Sequence, residues 1–185
     1  MPEGKRNLLY EWLKIGVLSI VLFLFIDIFV FSSYEVDGSS MAATLEDGDK
    51  LIVNKMIYEF GNISRFDIIV FHGIGDEDYV KRVIGLPGDV LEYRNDQLLV
   101  NGEYVKESFL AHESDGLLLG QKETGNFKLE ELTEEAMVPE GTLFVMGDNR
   151  LNSYDSRHFG FVSINDIVGK VSVRYWPFEK FYIEL

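Results

Sequence analysis

The sequence predicts a mostly-β, barrel-like domain carried on one N-terminal transmembrane helix. Two observations predict it. A twenty-residue apolar run lies near the amino terminus, and short β-branched and aromatic stretches follow, punctuated by Gly, Asn, Asp and Pro. Helical signals after the run are few. The 185 residues suffice for one sizeable domain with a small appendage.

The apolar run, "WLKIGVLSIVLFLFIDIFVF", covers Trp12 to Phe31. As a helix it would measure about 30 Å, the thickness of a bilayer core. The following "FSSYEV" offers no small-x-small cleavage site, which separates the run from an export signal. Lys5, Arg6 and Lys14 gather at its amino end, and the next cation is Lys50. The positive-inside rule therefore places residues 1–11 in the cytoplasm and the remainder outside the cell membrane, with membrane lipid around 12–31. Asp27 costs least near the outer interface, where its side chain reaches water.

Beyond the span, strands are expected at 50–58, 67–72, 78–85, 89–105 and 141–147. "GLPGD" suggests a type II turn, with Pro87 fixing φ and Gly88 supplying a positive one. "RNDQ" and "VNGE" look like hairpin connections. One short helix is expected within 126–138. Residues 103–138 are rich in acidic and turn-forming residues, so they are expected to form an inserted smaller subdomain between 34–102 and 139–185.

The net charge is −14, and the first 34 residues hold three cations and three anions, so the whole imbalance lies outside the membrane. That excludes nucleic acid as a partner, because phosphate binding needs clustered basic charge. The absence of cysteine excludes disulfides, thiol catalysis and cysteine-ligated metals. The three histidines, His72, His112 and His158, are not spaced as a metal pair. No metal and no cofactor is expected.

Three stretches carry candidate chemistry. "DGSSMAATL" places serines just beyond the anchor, and a serine hydroxyl needs an adjacent base to become a nucleophile. "YVKRVIGLPGD" puts Lys81 on one strand face with Tyr79 and Val83, and Arg82 on the other with Val80 and Ile84. Two readings fit Lys81: a surface lysine on an edge strand, or a base kept in an apolar place to lose its proton. "MGDNRLNSYDSR" packs charge so densely that it must be paired, whether as a structural or a binding loop.

In this order the three motifs resemble the bacterial type I signal peptidases, in particular the short Gram-positive members. The resemblance implies a membrane-anchored serine endopeptidase whose partners are the signal peptides of exported preproteins. It implies an all-β catalytic domain with a protruding smaller β domain. It assigns Ser40 as nucleophile and Lys81 as general base. Ser153 would hydrogen-bond the lysine, Asp155 would pair with Arg157, and Arg82 with Asp148. The backbone N–H of Ser40 would stabilise the oxyanion, with Gly38 where some members carry a second hydroxyl. A cleft lined by Asp37, Gly38 and Met41 on one side and by Asp78 and Tyr79 on the other would bind substrate. Ala43 stands where the family pattern has proline, so the turn behind the nucleophile is expected to be less rigid. The competing reading is a weak or inactive relative that binds or assembles exported proteins, such as surface-fibre subunits.

Overall fold

A computed structural model describes residues 3–42, 44–56, 63–73, 75, 77–110 and 123–183, with side chains of the first helix described at 8 and 10–24. Ala43, His112, the end of the strand expected at 50–58 and the Asp27 side chain lie outside these residues.

The chain opens with α1 (Glu3–Phe29), whose described apolar side chains from Trp12 to Leu24 are all exposed. Among the described residues no helix is long and apolar enough to cross a membrane. The helix stops short of the expected end at 31, because Phe31 already opens β1 (Phe31–Glu35) and faces Asn54 across a strand pair.

The strands that follow are β2 (Lys50–Asn54), β3 (Ile68–His72), β4 (Asp78–Gly85), β5 (Leu91–Arg94), β6 (Gln97–Val100), β7 (Glu103–Val105) and β8 (Phe127–Lys128). Helix α2 (Leu129–Thr133), β9 (Thr142–Met146), α3 (Ser156–Phe159), β10 (Val162–Ser163), β11 (Ile167–Trp176) and β12 (Tyr182–Ile183) complete the chain. The larger sheet runs β1-β2-β11-β3-β4-β9-β10, with β12 on β11, and every pairing in it is antiparallel.

This sheet is buried on both faces at its centre, so β3 reads as a continuous apolar run rather than an alternation. Ile68 and Val70 face one apolar cluster with Leu51, Val53, Met41 and Leu45. Ile69 and Phe71 face another with Val83, Leu143 and Val145.

The smaller sheet has the order β7-β6-β5-β8. Its two hairpins turn through Asn95-Asp96 and Asn101-Gly102, all with positive φ, as type I′ turns demand. This sheet begins at Leu91, ahead of the boundary expected at 103. Leu91, Tyr93, Leu98 and Val100 pack directly on Ile84, Phe144 and Met146 of the larger sheet. The reason is the turn at Gly88, which has φ +84° and carries the chain from the end of β4 straight over that face.

Candidate active site

Strand β4 holds Lys81 at an unusual place. β9 pairs with β4 only from Arg82 onward, so Asp78–Lys81 has β3 on one side and, among the described residues, an open edge on the other. Lys81 is nevertheless only 5% exposed. Its Nζ donates to Ser40 Oγ at 2.8 Å and to the Val80 carbonyl at 3.0 Å, and it lies 5.6 Å from the centre of the Tyr79 ring. Burial lowers its pKa to about 8, against the opposing pull of the Asp155 and Asp148 carboxylates. A lysine in that state is neutral in about one molecule in ten at pH 7. It can accept a proton from a serine at hydrogen-bond distance.

Ser40 lies in the loop after β1. Met41 and Leu45, both in the core, plug this loop into the sheet, and Leu45 N–H donates to the Met41 carbonyl at 2.8 Å. Met41 was expected to line the substrate cleft. Instead it is 1% exposed, because the position after Ser40 turns inward to fill the apolar cluster. Gly38 has φ +87° and anchors by its N–H to Asp47 Oδ1 at 2.8 Å. Among the described residues the Ser40 N–H makes no hydrogen bond, so this donor is available to an oxyanion.

The loop between β9 and α3 surrounds the pair. Asp148 receives Arg82 Nε at 2.8 Å and Nη2 at 2.6 Å, and both side chains are buried. Arg82 also donates to the Phe66 carbonyl. Asp155 caps α3 and accepts two bonds from the Arg157 guanidinium, both 2.8 Å, and one from Gly147 N–H at 3.0 Å. Burial pushes the Asp155 carboxyl up, but the Arg157 pair and the Gly147 amide outweigh it and hold it below its ordinary range.

Ser153 was expected to hydrogen-bond Lys81. Its Oγ is buried and makes no hydrogen bond to Lys81, which directs its bonds to Val80 and Ser40, and the hydroxyl lies close enough to the Asp155 carboxylate to help hold it down. The hydroxyl faces Gly147 instead. A Cβ at that glycine would collide with both Ser153 Oγ and the Ser40 carbonyl, so glycine is required there.

Two further residues hold the nucleophile, and sequence reasoning missed them. Asn149 donates its N–H to the Ser40 carbonyl at 3.1 Å and its Nδ2 to the Ser39 carbonyl at 3.0 Å. Asn152 Nδ2 donates to Ser39 Oγ at 3.0 Å. The density of amides in "DNRLN" was the available signal.

Of the cleft residues, Asp37, Gly38 and Asp78 are exposed and Tyr79 is half-buried. Asp78 hydrogen-bonds His72 Nδ1 at 2.7 Å. The Tyr34 phenol on β1 is pushed up to about 12, chiefly by burial and also by the Asp78 carboxylate. The Lys81–Ser40 hydrogen bond sets the loop that carries Ser40 beside the Asp78–Lys81 segment.

A family model described as signal peptidase, peptidase S26, matches residues 9–176. A relative named signal peptidase I from Bacillus caldolyticus is 55% identical over 179 residues, covering 97% of this chain and 96% of the relative. One named signal peptidase IB from Staphylococcus aureus (strain Mu50 / ATCC 700699) is 41% identical over 182 residues, covering 96% and 94%. The crystal structure of a signal peptidase I from Enterococcus faecalis V583 is 42% identical, with a TM-score of 0.58 over 60% of this chain and 97% of that one. The chain belongs to the bacterial type I signal peptidases of family S26.

Proposed function

We propose that the chain is a serine endopeptidase that removes signal peptides from exported preproteins, with Ser40 as nucleophile and Lys81 as general base. The observation that carries the dyad is the 2.8 Å contact between Lys81 Nζ and Ser40 Oγ, made by a lysine that burial has brought to a pKa of about 8.

An extended signal-peptide segment adds to the open edge of Asp78–Lys81, beside the loop that carries Ser40. Neutral Lys81 takes the Ser40 proton as Oγ attacks the scissile carbonyl carbon. The negative oxygen of the tetrahedral intermediate accepts the Ser40 N–H. The lysine ammonium then gives its proton to the leaving amine, and an acyl-enzyme remains. Lys81, neutral again, takes a proton from water. The resulting hydroxide attacks the ester, and the tetrahedral intermediate collapses: the C–Oγ bond breaks, Lys81 returns its proton to Ser40 Oγ, and the cleaved signal peptide leaves with its new carboxylate. Arg82–Asp148 and Arg157–Asp155 fix the loop against which this happens.

The same reading makes the part of α1 from Trp12 to Phe29 a single-pass anchor, with 1–11 cytoplasmic and the β domain facing the outside. The exposed apolar side chains from Trp12 to Leu24 support lipid as their surroundings. The larger sheet serves as the catalytic domain, and the smaller sheet, which begins at Leu91, as its insert.

The test is cleavage of a preprotein with an Ala-x-Ala site by the detergent-solubilised chain, beside Lys81→Ala. Cleavage by the parent alone at that bond is expected. Equal cleavage by the variant would remove Lys81 from the mechanism, and no cleavage by a folded parent would favour the binding-factor reading.

A further inference from the structure

Ser40 and Lys81 are held by different parts of the molecule. Lys81 is fixed by its strand, which the larger sheet locks through β3. Ser40 sits in a loop, where Asn149 holds its carbonyl and that of Ser39, and Asn152 holds the Ser39 hydroxyl. The distance between the two reacting groups therefore depends on where the 149–152 segment lies.

That segment has no strand or helix of its own. Between the two asparagines stands Arg150, whose side chain is fully buried. Its Nε donates to the Gly147 carbonyl at 3.0 Å, closing the loop on itself. Its remaining donors leave the loop altogether. Nη1 donates to Tyr93 Oη at 2.9 Å and Thr124 Oγ1 at 3.0 Å, and Nη2 to Glu107 Oε1 at 2.5 Å. Tyr93 Oη in turn donates to the same Glu107 oxygen at 2.6 Å. The rings of Tyr93 and Phe109 flank the guanidinium. Tyr93 lies on β5 of the smaller sheet, and Glu107 follows β7.

A buried ion pair is an expensive way to join two sheets, since an apolar pair of similar volume would serve stability as well. What a guanidinium fork held at four points supplies is direction. We propose that Glu107 and Tyr93 are positioning residues for the peptidase reaction, acting through Arg150 on the asparagine clamp that sets Ser40 against Lys81. Through these two side chains the smaller sheet is tied to the active-site loop. This role rests on the peptidase reading given above. Neither residue touches the reacting atoms.

The test compares the detergent-solubilised full chain with Glu107→Gln, Tyr93→Phe and Leu98→Val on an Ala-x-Ala preprotein. Leu98 is fully buried in the same sheet but outside the hydrogen-bond network, so its variant reports loss of stability alone. All are assayed where near-ultraviolet circular dichroism finds them folded. Glu107→Gln should lower kcat about tenfold, Tyr93→Phe by a smaller factor, and both should keep KM within about twofold. Leu98→Val should lower Tm and leave kcat alone. Glu107→Gln and Tyr93→Phe that lose Tm yet keep the parent kcat would overturn the positioning role. If Glu107→Gln does not fold, Tyr93→Phe decides by the same criterion. A parent that cleaves nothing would sink the peptidase reading and this role with it, whereas unimpaired variants of a cleaving parent would sink only the latter.

Discussion

Replacing Lys81 by methionine should stabilise the protein at neutral pH while abolishing cleavage. Lys81 has a folded pKa of about 8 against the ordinary 10.5. Below pH 8 the lysine is charged in both states, and the full cost of burying the ammonium falls on the folded one. Between pH 8 and 10.5 the unfolded chain still binds a proton that the folded chain has released, so stability rises with pH. The cost at pH 7 comes to about 3 kcal/mol. Methionine removes it but gives up hydrogen bonds to Ser40 Oγ and the Val80 carbonyl, worth about 1 kcal/mol each. A net gain of about 1–2 kcal/mol should remain at pH 7. Urea unfolding of the solubilised chain, followed by tryptophan fluorescence at pH 7 and pH 10, measures it. The gain should vanish or reverse at the higher pH, and parent cleavage should rise about tenfold per pH unit up to an apparent pKa of about 8. A Lys81→Met protein less stable than the parent at pH 7, with a difference that does not change by pH 10, would refute the desolvated-base account.

Two other substitutions probe the loop around the dyad. Arg82→Ala should destabilise by about 3–5 kcal/mol, since it leaves Asp148 buried without its counter-charge, and urea unfolding would read the loss. Gly147→Ala should cost at least tenfold in kcat, because its methyl group must push apart Ser153 and the Ser40 carbonyl, and single-turnover cleavage of the preprotein would measure it.

The sequence carried the chemistry of this protein further than its architecture. "SSM", "YVKR" and "DNRLNSYDSR" name the residues that meet at the dyad, because nucleophile, base and paired charges each need a particular side chain. The type I′ hairpins were equally legible, since their backbone demands Asn, Asp or Gly at fixed positions. β11 shows an alternation of Ile167, Gly169, Val171 and Val173 with other residues, yet nothing local says that it lies between β2 and β3. Strand order is a matter of long-range pairing.

Three outcomes belonged to tertiary structure alone. Met41 lies beside the nucleophile in sequence but turns into the core, because burying an apolar side chain outweighs keeping it at the cleft. The 103 boundary looked natural from composition, whereas packing on Ile84 and Phe144 draws Leu91–Val100 into the smaller sheet. Without the flanking motifs Lys81 reads first as a surface lysine, and only the folded surroundings make it a base. Its proton affinity is set by desolvation, and desolvation depends on every element folded around it.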